Sequence, residues 1–268
     1  MRVVSLINAT MISETSSTYA LYYAKSFSLK LSLVHIKDND ALPIVEKVFE
    51  DIKKLASSLG VEVDLLLFDT LDELKELIEE KNVDILFCST KHNRSIFQES
   101  FAQKIIKMGL HVDLAIVKVV KLIGAQSVDK IVMPIRGSQL SVKKFTFFST
   151  FVNAYNANAE IFSIDKISRR EYATLDAKKV KIKLQKIMFN LRHYFRLTTI
   201  MKMKFSIKHH YALAEGDEVQ SHIAKNGFDL AIVGGHHEKS FFFRHPIDIL
   251  FEKPMINTLY FIPTKDSK

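Results

Sequence analysis

Small and basic residues follow two apolar segments in the second half of the chain and could together bind an anion. Glycine lets the backbone approach a phosphate closely, and arginine, histidine and lysine supply positive charge. The predicted binding residues are Ile135, Arg136, Gly137, Ser138, Gly234, Gly235, His236, His237, Lys239 and Ser240, with Arg244 as a further cation. A glycine pair also marks ordinary turns, and the charges could be solvated loop residues, so both interpretations stay open.

Metal binding and nucleophilic catalysis are not favoured. Adjacent residues of a strand face opposite sides, so neither adjacent histidine pair chelates easily, and spaced Cys/His ligand patterns are absent. The single cysteine, Cys88, ends an apolar segment and is expected to pack as a small hydrophobe. Ser138 and Ser240 lack a His–Asp partnership. We therefore predict no metal cluster, no catalytic residue and a protein that binds rather than catalyses. The histidine pairs are His209–His210 and His236–His237.

The elements that would position these residues occur twice. A displacement of 128 residues places VVSLIN, from Val3, over IVMPIR, from Ile131. A displacement of 145 residues places Leu71–Phe87 over Gly216–Ile232, with aspartates and isoleucines coinciding. The difference of 17 residues is an insertion between the second and third strands of the second half. Such a repeat predicts two copies of one structural unit.

Each copy alternates short apolar runs with amphipathic segments, which predicts β-α-β units and parallel sheets. We predict an α/β chain of two tandem five-stranded parallel-sheet domains, residues 1–122 and 128–268, with strand order 3-2-1-4-5 in each. Extra helix is expected at about residues 169–203. Ligands of such sheets bind where the strand order reverses, beyond the carboxyl ends of the first and fourth strands.

Three segments resemble the universal stress protein family. KIVMPIRGS (Lys130–Ser138) is similar to the family's opening strand, LSLVHI (Leu31–Ile36) to its second strand, and FDLAIVGGHHEKS (Phe228–Ser240) to its fourth strand and loop. The resemblance implies a tandem member with layering of the adenine nucleotide alpha hydrolase or flavodoxin type. It also implies a role in the stress response and ATP or another adenine nucleotide as ligand. The fifth strands would pair to make an intramolecular pseudo-dimer, with a homodimer as an alternative.

The sequence departs from the family pattern at positions that bind the nucleotide. ATP-binding members carry G-x2-G-x9-G-[S/T] after the fourth strand, whose backbone N–H groups surround the phosphates. Gly234 fills the first position, but His237 stands at the second. Asn8 and Arg136 replace the family's Asp at the end of the first strand. We therefore expect at most weak nucleotide or anion binding, in the second half alone. A low-activity nucleotide hydrolase is a further alternative, although no Walker-type Gly-Lys-Ser/Thr is present.

The insertion carries the positive charge of the protein. Residues 169–204 contain eleven Lys or Arg and two acidic residues, while the whole chain has a net charge of +8. As a helix, the segment would pack through one apolar face and present three apolar residues among cations on the other. This pattern suits packing alone, or contact of residues 178–204 with an anionic membrane surface, an acidic protein or a second copy. In the second case the alternative function is a ligand-free interaction module that acts through the insertion. The packing face comprises Val180, Leu184, Ile187, Leu191 and Tyr194, and the outer residues are Ile182, Phe189 and Ile200.

Composition limits the remaining classes of protein. Hydrophobic residues make up 47% and charged residues 25%, which predicts a packed fold and excludes wholesale disorder. The first apolar stretch is too short for a signal-peptide core, and one cysteine suits a reducing compartment, so we expect a cytoplasmic protein. No nucleic-acid-binding motif accompanies the basic charge, and nucleic acid is not an expected partner.

Overall fold

The computed structural model describes residues 1–37, 42–80, 82–90, 101–122, 125, 127–136, 141–234, 250 and 253–264. Strands and helices alternate through these ranges. The strands are β1 (Arg2–Leu6), β2 (Lys30–Ile36), β3 (Val63–Phe68), β4 (Val83–Thr90), β5 (Asp113–Lys118), β6 (Lys130–Arg136), β7 (Asn158–Lys166), β8 (Phe205–Ala212), β9 (Leu230–Gly234) and β10 (Asn257–Ile262). The helices are α1 (Met11–Ser26), α2 (Leu42–Leu59), α3 (Leu71–Glu80), α4 (Phe101–Lys107), α5 (Val142–Tyr155), α6 (Arg169–Ala173), α7 (Ala177–Ile200) and α8 (Glu215–Asn226).

Capping side chains fix where the helices after β1 and β6 begin. The Thr10 hydroxyl accepts a hydrogen bond from the N–H of Ser13 at the start of α1. The Ser141 hydroxyl accepts one from the N–H of Lys144 at the start of α5. First-turn N–H groups have no partner within their own helix, so a side-chain oxygen at this position stabilises the helix start by about 1 kcal/mol. Both helix starts therefore lie close beyond the carboxyl end of the preceding strand.

The ten strands form one sheet in the order β3-β2-β1-β4-β5-β10-β9-β6-β7-β8. Neighbouring strands are parallel except at the centre, where β5 and β10 pair antiparallel with Val117 beside Leu259. The parallel α/β class is confirmed, and the strand order from either outer edge to the centre is the predicted one. The prediction of two separate five-stranded sheets is wrong. An unpaired fifth strand would expose a row of N–H and C=O groups, and the two fifth strands satisfy these groups by pairing with each other.

Side chains at the start of β5 and β10 join the two halves at this seam. The buried Asn257 Oδ1 accepts hydrogen bonds from the backbone N–H groups of residues 120 and 121, at 2.7 and 2.8 Å. Its Nδ2 donates to the Tyr19 hydroxyl and to the carbonyl of residue 121, both at 2.9 Å. Asp113 stands at the corresponding place in β5, and its Oδ1 accepts from the N–H of Thr264 at 2.6 Å. The first residue of each fifth strand thus hydrogen-bonds to the backbone segment that follows the other fifth strand.

An aromatic cluster packs both halves on one face of the sheet. Phe147 of α5 stacks on Phe261 of β10, with ring centroids 4.4 Å apart, and lies 5.9 Å from Tyr23 of α1. These rings belong to one hydrophobic cluster that includes buried residues of α1, α2, α5 and α7. The opposite face carries one cluster with α3 and α4 and another with α8. Because the first cluster runs across the seam, separating the halves would expose the apolar surface of both.

The predicted helical insertion contains α6 and α7. Ile187, Leu191 and Tyr194 of α7 are buried in the shared cluster, as predicted. Val180 and Leu184 are exposed, so their predicted place on the packing face is wrong. The first two turns of α7 therefore do not lie on the core that buries the rest of the helix.

Candidate functional site

The crevice of the second half opens between β6 and β9. These strands pair only at Ile131↔Leu230 and Val132↔Ala231, whereas β6 continues to pair with β7 as far as Arg136. Pro134, which has no backbone N–H, stands two residues beyond the last pair with β9. The carboxyl ends of β6 and β9 thus diverge at the point where the strand order reverses, which is where ligands of such sheets bind.

Lys144 fills part of this crevice, and its side chain lies against Gly234 at the end of β9. A Cβ atom built on Gly234 would be 2.3 Å from Lys144 Cδ and 2.8 Å from Lys144 Nζ. Glycine at this position therefore allows a lysine side chain to cross the end of the strand. The sequence pattern indicates Gly234 but not Lys144, because the two residues are far apart in the chain. The displacement that aligns the two opening strands could have indicated the helix that carries it, since it places Lys144 over Ser16 of α1.

Arg136 is brought to the same edge but is paired within the protein. Its Nε donates a hydrogen bond to Glu215 Oε1 at 2.8 Å, and the Glu215 carboxylate is buried in the first turn of α8. Charge-assisted hydrogen bonds of this kind are about twice as strong as neutral ones. An anion at Arg136 would have to compete with Glu215 for the guanidinium group.

Ile135, Arg136 and Gly234 are thus the predicted site residues that the structure describes at the ends of β6 and β9. Ile135 packs against the hydrophobic cluster shared by both halves. The other predicted residues lie outside the described ranges, and their role in binding stays a prediction. They are Gly137, Ser138, Gly235, His236, His237, Lys239 and Ser240, and the same holds for Arg244.

At the equivalent edge of the first half, the polar groups that follow β1 hydrogen-bond to one another. The Ser13 hydroxyl donates to the Asn8 carbonyl at 2.7 Å and accepts from the Asn8 N–H at 3.1 Å. The Thr10 hydroxyl donates to Asn8 Oδ1 at 2.5 Å. Nδ1 of the buried His35 lies 3.0 Å from the Ile7 carbonyl oxygen. The polar groups after β1 therefore bond to one another, and Asn8 is a structural residue of this loop.

A cluster of polar side chains, which no sequence motif indicated, joins β7, β8 and α8. Glu160 hydrogen-bonds to His222 Nε2 through one oxygen and lies 2.8 Å from Lys208 Nζ through the other. His222 stacks on Phe162 with ring centroids 3.8 Å apart. Burial alone would raise the pKa of the Glu160 carboxyl, but hydrogen bonds from Lys208 and His222 outweigh it and lower the pKa. The buried Glu160 and His222 thus fix α8 on the sheet, and the partly exposed Lys208 completes the network from β8.

Of the remaining candidates for metal binding and nucleophilic chemistry, the structure describes His209, His210 and Cys88. His209 Nδ1 lies 3.0 Å from Ser163 Oγ, whereas His210 Nδ1 lies 2.9 Å from Glu218 Oε1, so the two rings bond to different elements. Burial raises the pKa of the Cys88 thiol to about 12, which keeps it protonated at neutral pH. Within the described ranges, no group of three His, Cys, Asp or Glu side chains could hold a metal ion.

Known proteins resemble the chain in backbone structure rather than in sequence. No protein-family model and no curated protein matches the sequence. A universal stress protein from Archaeoglobus fulgidus superposes with a TM-score of 0.61 at 10% identity, over 98% of each chain. A Pseudomonas aeruginosa protein assigned to the same family gives 0.60 at 10% identity, over 97% of this chain and 92% of its own. The cytoplasmic domain of a prokaryotic cation chloride cotransporter gives 0.59 at 10% identity, over 99% and 96%. The chain has the tandem universal-stress fold.

No helix in the part of the chain that the structure describes combines the length and the apolar character needed to cross a membrane.

Proposed function

We propose that the protein is a regulatory binding module of the universal-stress type. Its second half would hold a phosphate-bearing ligand weakly in the crevice between β6 and β9. The observation that carries the proposal is the side chain of Lys144 lying across Gly234 where these strands diverge. The fold suggests ATP or another adenine nucleotide as the ligand. A free inorganic anion would bind through the same contacts as the phosphates. Low-level nucleotide hydrolysis is the alternative to binding alone.

The chemistry of the crevice supports an anionic ligand. Lysine offers a compact positive charge with three donors, which suits a phosphate oxygen. Gly234 has no Cβ, so the Lys144 side chain can lie across the backbone at the end of β9. The first turn of α5 begins at Ser141, close to this edge, and helix N-termini favour anions. In the registers of the repeat, Ser16 and Ser89 take the places of Lys144 and Gly234. The proposed site is therefore confined to the second half.

Replacing Lys144 with Met is expected to weaken anion binding at least tenfold, because it removes the cation and keeps a similar aliphatic stem. Isothermal titration calorimetry with Mg-ATP and with pyrophosphate measures the change. The wild-type protein should bind ATP only weakly. A sub-micromolar complex, worth more than ~8 kcal/mol, would contradict the expectation that the altered loop has lost much of its affinity.

Lys25→Met provides the matched control, since Lys25 lies exposed in the last turn of α1 and outside the crevice. It should leave both titrations unchanged. If Lys144→Met binds both ligands as tightly as the wild type, the crevice is not the anion site.

Gly234→Ala is expected to reduce anion binding with little loss of stability. The new methyl group would meet the flexible end of Lys144, which must then swing away from the crevice. Gly234 does not have a positive φ, so alanine fits its backbone. Calorimetric titration should show the weaker binding, while thermal unfolding should change by no more than a few degrees. Unchanged affinity together with unchanged stability would show that the position of Lys144 does not matter.

We further propose that residues 1–122 and 128–268 are two copies of one unit and that the protein works in the cytoplasm. The mirrored strand order and the corresponding positions of Asp113 and Asn257 support the first statement. The single buried Cys88, which has no disulfide partner in the chain, supports the second.

A further inference from the structure

Helix α7 packs on the protein through a narrow stripe. Ile187, Leu191, Tyr194 and Thr198 are buried, and they recur every three or four residues along one side. Asp176 caps the helix by accepting a hydrogen bond from the Lys179 N–H at 2.7 Å. The helix has 24 residues and is about 36 Å long. Most of its circumference is therefore left uncovered by the rest of the described chain.

The uncovered side carries large apolar side chains. Ile182, Phe189 and Ile200 are 56%, 59% and 67% exposed. They are separated by seven and eleven residues, close to two and three helical turns, so they form one row opposite the buried stripe. Leu184, Met188 and Phe195 form a second exposed row, which runs along the edge of the buried stripe. A helix that only covers a core would carry polar residues at these positions.

Cations surround these apolar rows. Helix α7 contains seven basic and no acidic residues. Arg192 holds its guanidinium 3.9 Å from the centre of the Phe189 ring, so charge and aromatic surface are presented together. The nearby Glu171 is already paired with Lys183. Among the residues that the structure describes, no acidic side chain forms an ion pair with the outer cations. These are Lys178, Lys181, Lys186, Arg192 and Arg196.

We infer that α7 binds the surface of an anionic lipid bilayer, lying in the plane of the interface. Apolar side chains of the outer row would enter the boundary between headgroups and acyl chains. The flanking lysine and arginine side chains are long enough to reach the phosphate groups while their stems stay in the apolar layer. A bilayer thus satisfies interleaved apolar and cationic residues at once.

Protein partners fit this surface less well. A protein interface usually has an apolar centre and a charged rim, whereas α7 mixes the two around most of its circumference. A second copy placing α7 against α7 would bring cations together. The acidic helix α3 of a second copy offers exposed Asp72, Glu76 and Glu79, but its Leu74 and Leu77 are buried and cannot meet the apolar rows.

Flotation with lipid vesicles tests the inference. The protein should float with vesicles that mix phosphatidylcholine and phosphatidylglycerol, and at least tenfold less with phosphatidylcholine alone. Binding should weaken as salt rises, because the screening length falls from about 30 Å at 0.01 M to about 10 Å at 0.1 M. No flotation with either vesicle would overturn the inference, as would equal flotation with both.

Two sets of substitutions separate the apolar and the electrostatic contributions. Ile182→Ser, Phe189→Ser and Ile200→Ser, combined in one variant, should abolish flotation without lowering the unfolding temperature. If this variant floats like the wild type, the apolar row does not insert, and the inference fails. Charge reversal should also abolish flotation, using Lys181→Glu, Lys186→Glu, Arg192→Glu and Arg196→Glu. A control with the same number of reversals elsewhere should still float, using Lys25→Glu, Lys47→Glu, Lys53→Glu and Lys54→Glu.

A fluorescent probe tests insertion of the outer row without changing any charge. The protein contains no tryptophan, so Phe189→Trp introduces a single reporter on the outer row. Its emission should shift to the blue on adding anionic vesicles, because the indole leaves water. Phe27→Trp, at a position 44% exposed beyond the end of α1, should show no shift. Equal shifts at both positions would indicate non-specific adsorption. A dimer in light scattering that the combined Ile182→Ser, Phe189→Ser and Ile200→Ser variant does not form would replace the bilayer with a second copy.

Discussion

Glu160→Ala should lower the free energy of unfolding by about 1–3 kcal/mol at neutral pH, the usual cost of leaving a buried hydrogen-bonding group without its partner. Glu160 is the common partner of His222 and Lys208, and its side chain is only 7% exposed. The substitution removes the acceptor for both groups and leaves a gap beside the His222 ring, which stacks on Phe162. Both the unpaired donors and the gap destabilise the contact of α8 with the sheet.

Urea unfolding followed by circular dichroism measures this change. Glu171→Ala is the matched control, because Glu171 also pairs with a lysine, Lys183, but its side chain is 42% exposed. Surface ion pairs contribute about 0–1 kcal/mol, so the control should unfold close to the wild type. Similar losses for both variants would show that burial of the Glu160 network does not matter.

The same network gives the unfolding free energy a defined pH dependence. The pKa of Glu160 is lowered from its ordinary value of 4.5 in the folded protein. A group with a lowered folded pKa stabilises the protein fully above its unfolded pKa, and this contribution is lost as the pH falls through the folded pKa. The difference in stability between the wild type and Glu160→Gln should therefore persist at neutral pH and shrink below pH 4.5. A stability difference that grows as the pH falls would contradict a lowered pKa of Glu160.

Asn257→Ala should lower the free energy of unfolding by about 2–4 kcal/mol, since partly buried donors left without partners cost about 1–3 kcal/mol each. The amide of Asn257 makes four hydrogen bonds at the seam, two from backbone N–H groups and two to oxygen atoms. Alanine cannot replace any of them. Because the seam and the aromatic cluster join both halves, unfolding should stay a single transition.

Guanidinium unfolding monitored by circular dichroism and by tyrosine fluorescence tests both statements. Asn153→Ala on the exposed side of α5 is the control and should change stability by less than about 0.5 kcal/mol. Two separate transitions in the Asn257 variant would mean that the halves unfold independently. Wild-type stability would mean that water replaces the amide at the seam.

The sequence was sufficient for elements whose signal is local. Each predicted strand is present because a strand covered on both faces must be apolar along its length, as in β1 and β9. The packing face of α7 was predicted correctly only in part. Helical periodicity gives the direction in which a side chain points, and so it identified Ile187 and Leu191. Periodicity does not show which turns of a helix contact the core. Val180 and Leu184 were therefore assigned wrongly to the packing face.

The sequence was insufficient for contacts between distant residues. Lys144 reaches Gly234 across the sheet edge, and Glu160 meets His222 from another element. Neither pair has a spacing that a motif could reveal, because three-dimensional proximity here depends on sheet order and side-chain length. Local pattern did not indicate the continuous sheet either, because two sheets and one sheet differ only in whether β5 and β10 pair. Pairing of the fifth strands was expected from the family resemblance alone.

The antiparallel pairing of β5 and β10 also has a consequence for how the protein can evolve. In a symmetric homodimer every mutation appears twice, once in each subunit, so both sides of the axis must tolerate it. Here one chain carries both sides of the seam, so a mutation alters one side and leaves the other unchanged. Ser16 stands where the repeat places Lys144, and the 17 additional residues lie between β7 and β8 alone. The two halves can thus carry different surfaces while β5 and β10 stay paired.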